Sequence, residues 1–353
     1  MKIAIDCRLF GNSGIGTFIK NIVDYIVINR DVSFLLIGKK KEISYYKKYS
    51  NVSIIENDIK PFSLKELFNF PTKEINECDA FFTPYINIPL SIKVPIFSTI
   101  HDVIFFDLKE LTSFSGRWLR WLFYKSTCKR SKLIFTVSNF SKQRIIHHFN
   151  PSIPIKIIYN GVATKIKEAS NENNSKKNYI LYVGNIKPHK GLRILINAYN
   201  IAKERGLNQN LLIVGEYKNF KTTDNEIFEA LNSNKDNIFF TGRLSDEELI
   251  QTIKEAQVLV LPSYYEGFGI PPLEALYLGT DAIISDIPTL REIYKDLPVN
   301  FFKAGDAENL SKLLSSYKHI KTDEFRLVRN VINEKYNFKI TANQILETIK
   351  ANL

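Results

Sequence analysis

The chain has 353 residues, enough for about two domains of ordinary size. Hydrophobic residues make up 44% and charged residues 24%, and the 15 glycines and 13 prolines are too few for a fibrous or low-complexity chain. These values exclude a mainly disordered chain and leave ample material for a sizeable core. The formal net charge of +11 indicates an acidic partner of some kind.

The three cysteines, Cys7, Cys78 and Cys128, are scattered along the chain. None has the spacing of a zinc site, and their number and placement do not indicate a disulfide framework. Asp6 and Arg8 stand where a signal peptide requires an unbroken apolar stretch. No apolar run approaches the roughly 18 to 20 residues that span a bilayer. We therefore expect a cytoplasmic protein with reduced thiols.

Short β-type runs alternate with helical patterns along the chain, which is typical of parallel α/β sheets. The predicted strands of the first half are 2–5, 33–37, 52–55, 80–83, 95–99 and 133–137. The predicted strands of the second half are 179–183, 211–214, 238–241, 258–261, 282–285 and 299–302.

A polar segment without periodicity, 164–178, separates the two series of strands and is typical of an interdomain linker. The sequence therefore predicts two doubly wound domains, over 1–163 and 179–335, with a cleft between them. The first holds 23 basic and 13 acidic residues, a net charge of +10, which leaves +1 for the rest of the chain. This asymmetry requires a functional explanation.

The strongest local pattern is EGFGIPPLEA, which follows the apolar run QVLVLP. A strand, a glycine turn and a proline at a helix start would leave the backbone N–H groups of Phe268, Gly269 and Ile270 facing outward, and such an arrangement binds phosphate. Glu266 and Glu274 flank the turn. Because carboxylates do not hold phosphate, they suit sugar and ribose hydroxyls. The alternative is an ordinary helix start with a favourable first-turn glutamate.

A second strand end opens into a helix at YVGNIKPHKGL. Lys190 is placed where its ammonium group could reach a diphosphate, with Lys187 close by. A lysine after a strand is usually just solvated. Here both patterns lie at the carboxyl ends of strands in one α/β domain, where ligands of such sheets bind.

A third glycine-containing segment, GNSGIGT, follows the first strand and is predicted to be a loop. Gly14 and Gly16 would let the backbone approach a ligand closely. The segment lacks the spacing of a dinucleotide fingerprint, and the chain contains no P-loop sequence.

His101 follows the strand PIFST, where a histidine is either structural or catalytic. His147 and His148 lie on a predicted helix and are interpreted as surface residues. No Asp-x-Asp occurs, so the usual carboxylate clamp for a metal-bound nucleotide diphosphate is missing. Lysine and helix N–H groups would neutralise the leaving phosphate instead, and we expect no metal and no other cofactor.

The segment RWLRWLFYKSTCKRSK contains six basic residues, no acidic residue and both tryptophans. Such interleaving of basic and aromatic residues is typical of an interfacial helix that docks on anionic lipid. The predicted membrane or acceptor contacts are Arg117, Trp118, Arg120, Trp121 and Lys125. A second basic segment, 39–48, is expected to add to them. The alternative is that the tryptophans pack in the core and the basic residues are merely solvated.

The motif EGFGIPPLE has the form E-x7-E and closely resembles that of glycosyltransferase family 4, whose members are retaining enzymes with the GT-B fold. The resemblance extends through GNSGIGTFI, STIHDVIFF, IFTVSNFSK, IIYNGV, YVGNIKPHKG, FFTGRLSDEEL and SDIPTLREI. The layout is most similar to bacterial polysaccharide and O-antigen transferases of the mannosyltransferase type. It implies two Rossmann-like domains facing across a cleft, with a C-terminal helix, 336–353, that returns to the first domain.

The resemblance also implies roles for the candidate residues. Glu274 would bind the ribose hydroxyls, and Glu266 those of the donor sugar. The backbone of 268–270 would hold diphosphate and sugar, with Lys190 on the phosphates. His101 would contact the donor sugar.

From the first domain, Gly14–Gly16 would approach the diphosphate, and the segment Thr241–Leu244 of the second would touch the base. This chain has Asn185 where the family commonly has an arginine, so Lys187 or Arg243 would assist the motif lysine. Asp281 also replaces a usual proline, with no evident consequence.

The expected reaction is metal-independent, retaining transfer of a hexose from a nucleotide-diphosphate sugar to a lipid-linked glycan. GDP-mannose is favoured on family likeness alone. The basic first domain would handle the acceptor, as a peripheral enzyme on the inner face of the cytoplasmic membrane in polysaccharide or O-antigen synthesis. One alternative is a GT-B nucleotide-sugar epimerase or hydrolase, which needs no acceptor. A nucleic-acid-binding protein would explain the charge but not the E-x7-E loop, so no nucleic acid is expected.

Overall fold

The computed structural model describes residues 1–11, 13–61, 63–170, 175–215, 236–321 and 323–353. They form two compact units. The first comprises Met1–Asn160 together with Asn337–Leu353, and the second comprises Gly161–Tyr336. Each unit is built on a parallel β-sheet, so the prediction of two α/β domains is confirmed.

The first sheet has seven strands in the order β3-β2-β1-β4-β5-β6-β7 within the described residues. They are β1 Lys2–Asp6, β2 Ser33–Gly38, β3 Val52–Glu56, β4 Ala80–Thr83, β5 Ile96–Thr99, β6 Leu133–Thr136 and β7 Ile155–Ile157. The second sheet has the order β10-β9-β8-β11-β12-β13. Its strands are β8 Tyr179–Val183, β9 Asn210–Val214, β10 Ile238–Gly242, β11 Val258–Leu261, β12 Asp281–Ser285 and β13 Asn300–Phe302. All the predicted strands are present, and β7 is an addition to them.

Helices connect most of these strands. Those of the first unit are Ser13–Ile26, Lys40–Ile43, Leu64–Asn69, Thr72–Ile75, Ile104–Asp107, Phe114–Arg130, Asn139–Phe149 and Phe338–Ala351. Those of the second are Thr164–Ala169, Leu192–Glu204, Asp246–Glu255, Pro271–Leu278, Pro288–Tyr294, Ala307–Ser316 and Glu324–Lys335. Short 3₁₀ helices occupy Ser44–Lys48, Lys109–Leu111 and Pro188–Lys190.

The central strands are continuous apolar runs. Every residue of β4, β6 and β11 is buried, which is typical of parallel strands covered on both faces. In both sheets the strand order reverses direction at one point, between β1 and β4 and between β8 and β11. Because ligands of open α/β sheets bind outside the carboxyl ends of the strands at such a switch point, the loops after these four strands are the natural places for a site.

The C-terminal helix, Phe338–Ala351, belongs to the first unit, as predicted. Its Phe338 and Ile345 are buried in one core cluster with Phe18 and Ile22 of the first helix. This burial explains why the chain returns to its N-terminal half: an amphipathic helix must cover its apolar face.

The predicted linker, 164–178, was wrong in its first part. The helix Thr164–Ala169 occupies it, belongs to the second unit and buries Ile166. A single buried apolar residue in a six-residue helix produces no detectable periodicity, so this helix could not be predicted from the sequence pattern. The N-terminal stretch of the first unit ends at Asn160, close to the predicted boundary, and 171–174 lie outside the described residues.

Candidate active site

The loops after β8 and β11 bring Lys190 and Glu266 together at the switch point of the second sheet. Lys190 Nζ donates hydrogen bonds to Oε1 and Oε2 of Glu266 at 2.9 and 2.8 Å. Ser263 Oγ donates another to Oε1 at 2.7 Å. The Glu266 side chain is 8% exposed and that of Lys190 is 26% exposed. A buried carboxylate is thus held by a lysine that remains within reach of solvent.

The backbone next to Lys190 is fixed by a close approach of the two loops. Gly191 has φ +69°, and a Cβ there would lie 1.9 Å from the carbonyl oxygen of Pro262, so only glycine fits. The N–H of Tyr264 donates to the carbonyl of His189 at 2.8 Å. The lysine motif and the E-x7-E loop therefore form one rigid structure.

The turn before Pro271–Leu278 presents an open helix N-terminus. The helix begins with proline, and Gly269 lies just before it with φ +86°. Tyr294 Oη donates to the carbonyl of Gly269, which fixes the turn from behind. Within the described part of the chain, the N–H groups of Gly269 and Ile270 donate no hydrogen bond. Free N–H groups at a helix N-terminus attract anions.

Glu274 lies in the first turn of that helix and is half-buried. Burial raises the pKa of its carboxyl group from 4.5 to about 7, and the charge of Asp246 adds to the effect. A carboxyl group whose ionisation is opposed by its surroundings is typical of a functional position. It is suited to accept hydrogen bonds from ligand hydroxyls that replace its lost hydration.

We expect Glu274→Gln to stabilise the protein at pH 8 and to leave its stability unchanged at pH 4. Because the pKa is about 7 in the folded chain against 4.5 unfolded, the folded state binds the additional proton between these values. The free energy of unfolding of the parent therefore falls as pH rises through this window, and the amide abolishes that fall. Urea unfolding at several pH values measures it. Glu334→Gln, at an exposed residue of the same unit, is the control; equal profiles for the parent and Glu274→Gln would contradict the expectation.

The other predicted donor contacts of the second unit are more dispersed. The Phe268 ring is buried and meets Tyr336 edge-on, with 5.9 Å between ring centroids, so only its backbone is suited to a ligand. Lys187 is exposed, three residues before the motif lysine. Arg243 is exposed and Leu244 half-buried after β10, which β9 separates from β8.

His101 follows β5 in the first unit and is half-buried. Its Nε2 lies 3.1 Å from the carbonyl of Pro84, and its ring meets Phe18 edge-on at 4.9 Å. Burial lowers the pKa of His101 to about 4, so the imidazole is neutral at physiological pH. A carbonyl partner requires the proton on Nε2, which leaves Nδ1 as a hydrogen-bond acceptor.

The predicted GNSGIGT loop was wrong beyond its start, because the helix Ser13–Ile26 begins inside it. Gly16 is required for packing: a Cβ there would lie 2.2 Å from the carbonyl oxygen of Leu9. Gly14 is exposed, and a Cβ there would meet nothing within 4 Å. Of the two glycines, therefore, only Gly14 has a backbone that a ligand could approach, in the segment that follows β1.

Two family models match the chain. The model described as glycosyl transferases group 1 matches residues 163–336, and the model described as glycosyltransferase family 4 matches residues 76–166. The chain belongs to glycosyltransferase family 4. The family recognised from the motifs is thereby confirmed.

Similar curated proteins include O-antigen transferases. The chain is 32% identical to the O-antigen chain mannosyltransferase RfbU of Salmonella typhimurium, over 65% of this chain and 61% of that protein. It is 29% identical to O-antigen chain mannosyltransferase B of Escherichia coli, over 56% of this chain and 55% of that protein. The chain thus spans little more than half the length of these relatives.

Solved structures match over almost the whole glycosyltransferase chain. A glycosyltransferase from Rickettsia africae matches with a TM-score of 0.76 at 17% identity, over 99% of this chain and 98% of that one. Sucrose-phosphate synthase from Thermosynechococcus elongatus matches with 0.74 at 17% identity, over 99% and 98%. Anabaena HepE in complex with UDP and glucose matches with 0.71 at 15% identity, over 99% and 100%. These likenesses confirm the GT-B fold.

Sequence reasoning overlooked one histidine of this family 4 glycosyltransferase. His189 lies directly before the motif lysine, and its buried Nδ1 has no hydrogen-bond partner among the described residues. Burial first, and then the charge of Lys190, lower the pKa of His189 to about 4. The signal was present in KPHKG, but a lone histidine beside a lysine does not suggest a role by itself.

The departure at Asp281 has a structural consequence. Its carboxylate accepts hydrogen bonds from His319 Nδ1 at 2.8 Å and from the N–H of Ile320 at 3.0 Å. Asp281, the first residue of β12, thus holds the loop that contains His319 and Ile320. Asn185 is exposed in the loop after β8.

The basic aromatic segment forms the helix Phe114–Arg130. Trp118 is 57% exposed, whereas Trp121 is half-buried and packs against the core of the first unit. Arg120 donates to the Thr112 hydroxyl and the Gly116 carbonyl. In the described ranges, no helix combines the length and hydropathy needed to cross a bilayer.

One further interpretation changes, and one agrees with the structure. His148 is half-buried rather than a surface residue, because its Nε2 lies 2.7 Å from Oδ1 of Asp107. The three cysteines are buried free thiols.

Proposed function

We propose that the enzyme transfers a hexose, with retention of anomeric configuration, from a nucleotide-diphosphate sugar to a hydroxyl group. The observation that carries this proposal is the Lys190–Glu266 pair beside the open helix N-terminus at the switch point of the second sheet. It combines a cation and free N–H groups for a diphosphate with a carboxylate for sugar hydroxyls.

In this proposal Lys190 exchanges partners when the donor binds. Its ammonium group and the N–H groups of Gly269 and Ile270 stabilise the negative charge that develops on the leaving diphosphate. Glu266 then accepts hydrogen bonds from the donor sugar, and Glu274 from the ribose. The acceptor hydroxyl attacks on the face that the diphosphate leaves and passes its proton to a phosphate oxygen.

The remaining roles follow the family resemblance. His101, neutral with an available acceptor nitrogen, contacts the donor sugar, and Gly14 offers open backbone to the diphosphate. Charge neutralisation by lysine and helix dipole supports a reaction without a metal, and no other cofactor is proposed.

The proposed donor is GDP-mannose, and the proposed acceptor is a lipid-linked glycan in cell-surface polysaccharide or O-antigen synthesis. The names of the Salmonella and Escherichia coli relatives support mannose and O-antigen. We propose that the enzyme works in the cytoplasm, as a peripheral protein on the inner face of the cytoplasmic membrane.

One face of the helix Phe114–Arg130 supports this location. Phe114, Trp118 and Leu122 follow one another at four-residue spacing and are 77%, 57% and 39% exposed. Lys125, seven residues after the tryptophan, continues the same face. An exposed apolar stripe that leads into lysines suits insertion into an anionic lipid surface.

We expect vesicles containing anionic lipid to shift the tryptophan emission of the enzyme to shorter wavelength. Because Trp118 is exposed and Trp121 is packed, Trp118→Phe should abolish the shift and Trp121→Phe should preserve it. Lys125→Glu should weaken binding, since it places like charge against the lipid. Fluorescence titration with vesicles of stated composition measures all three. An emission shift that persists in Trp118→Phe, or equal binding to neutral vesicles, would contradict the proposal that this face of the helix binds anionic lipid.

Product analysis distinguishes the proposal from an epimerase or hydrolase. The enzyme is incubated with GDP-mannose and a membrane extract that contains lipid-linked glycans, and the product is analysed by NMR. The proposal predicts a new glycosidic bond with the α configuration of the donor. Free mannose or an epimerised nucleotide sugar as the sole product would favour the alternatives. Salt-dependent binding of RNA or DNA without any turnover would favour a nucleic-acid-binding protein.

A further inference from the structure

The basic segment 39–48 does not extend the face of the helix Phe114–Arg130. Tyr46 is buried in the same core cluster as Phe135 of β6. Cys128 is buried in the cluster that contains Ile134, the preceding residue of β6. Because successive residues of a strand point to opposite faces, the two basic segments lie on opposite faces of the first sheet. The two segments therefore do not form one surface, and segment 39–48 is considered separately.

A cavity of about 160 Å³ lies beside this segment, lined by Val27, Ile28, Arg30, Lys48, Tyr49, Ser50 and Asn51. These residues directly precede β2 and β3, so the cavity is at the amino-terminal edge of the sheet. The loops that follow β1 and β4 lie at the other edge. The cavity is therefore separate from the carboxyl-terminal loops that carry the predicted donor contacts of this unit.

The cavity is preformed by hydrogen bonds in its wall. Asn51 Nδ2 donates to the carbonyl oxygens of Val27, Asn29 and Val32 at 3.2, 2.9 and 2.9 Å. These bonds join the turn before β2 to the turn before β3. A ligand would not have to order this wall, which lowers the entropic cost of binding.

Two cations line the cavity without a carboxylate partner among the described residues. Arg30 is exposed and makes no ion pair or hydrogen bond there. Lys48 Nζ contacts the hydroxyl of Tyr45 and lies 3.6 and 5.2 Å from the ring centroids of Tyr45 and Tyr49. The nearby carboxylate of Asp24 is engaged by Lys20 and Tyr46.

We infer that this cavity binds an acidic saccharide, a sugar ring that carries a carboxylate or phosphate group. Arg30 and Lys48 would pair with the acidic group, for which guanidinium and ammonium groups are the usual partners. The side chain of Ile28, which is 60% exposed, and the ring of Tyr49 would pack against the C–H face of the sugar ring. The combination of apolar surface with a few convergent polar groups is common in small-molecule sites.

The test is a calorimetric titration of the full chain with glucuronate, glucose 6-phosphate and inorganic phosphate, and separately with vesicles of anionic lipid. We expect both acidic sugars to bind more tightly than inorganic phosphate. Loss of one charge-assisted contact in Lys48→Gln or Arg30→Gln should weaken that binding about tenfold. Lys47→Gln, an exposed neighbour that does not line the cavity, is the matched control and should leave it unchanged.

Lys190→Ala separates this site from the donor site and should leave the affinity for acidic sugars unchanged. Binding that is lost in Lys190→Ala but kept in Lys48→Gln would assign it to the donor site and overturn the inference. So would inorganic phosphate binding as tightly as the sugars, or binding of vesicles alone. Because these titrations require no turnover, their outcome is independent of the proposed transferase activity.

Discussion

Replacing Lys190 with alanine is expected to reduce donor turnover by about 10²–10³-fold, the usual effect of removing one group that stabilises developing negative charge. The ammonium group lies beside the open helix N-terminus and is the one cation hydrogen-bonded to Glu266 in the described structure. Its loss removes the cation nearest to the N–H groups that would receive the leaving diphosphate. Initial rates of nucleoside diphosphate release measure the effect.

Two controls keep this result interpretable. Lys187→Ala removes an exposed lysine of the same loop and should cost much less turnover. Because Lys190→Ala leaves the buried Glu266 carboxylate unpaired, the double variant Lys190→Ala/Glu266→Gln tests whether misfolding causes the loss. We expect it to restore the melting temperature without restoring turnover. Near-normal turnover by a folded Lys190→Ala enzyme would overturn the assigned role.

Gly191→Ala is expected to lower the free energy of unfolding by about 3 kcal/mol, because it combines a left-handed backbone with a steric clash. The new Cβ would lie 1.9 Å from the carbonyl oxygen of Pro262, a backbone atom that cannot rotate away. Turnover should fall as well, since relief of the clash moves the adjacent lysine. Urea unfolding and initial rates measure the two effects.

Gly206→Ala is the matched control for this substitution. Gly206 also has a positive φ, +94°, but a Cβ there would meet nothing within 4 Å. The free energy of unfolding of Gly206→Ala should therefore fall only by the cost of the left-handed backbone, about 1 kcal/mol. Equal losses for the two variants would show that the contact with Pro262 is unimportant, and that the lysine motif does not depend on it.

The fold could be predicted well from the sequence because its strands are apolar runs between turn residues. The twelve predicted strands formed long enough hydrophobic segments to be recognised. β7, Ile155–Ile157, was missed because it has three residues with one exposed at its centre. The helix Thr164–Ala169 was missed for a similar reason, since tertiary packing of Ile166 rather than periodicity stabilises it.

The candidate site was only partly predictable. Glycines and prolines at strand ends indicated where the chain turns, and parallel topology brings such turns to one edge of a sheet. The direct pairing of Lys190 with Glu266 depends on the contact of two loops that are 76 residues apart, which spacing alone does not encode. The two basic segments lie on opposite faces of the first sheet because alternate residues of β6 point to opposite faces. The distribution of charge along the sequence does not predict this placement.

In the proposed reaction, Lys190 and the helix N-terminus replace a metal at the leaving diphosphate. Its most direct test is release of nucleoside diphosphate from GDP-, UDP- and dTDP-sugars, with and without EDTA, in the presence of the membrane extract as acceptor source. We expect release from one donor, GDP-mannose, at a rate that EDTA does not change. Release that EDTA abolishes, or no release from any donor with the extract present, would contradict it.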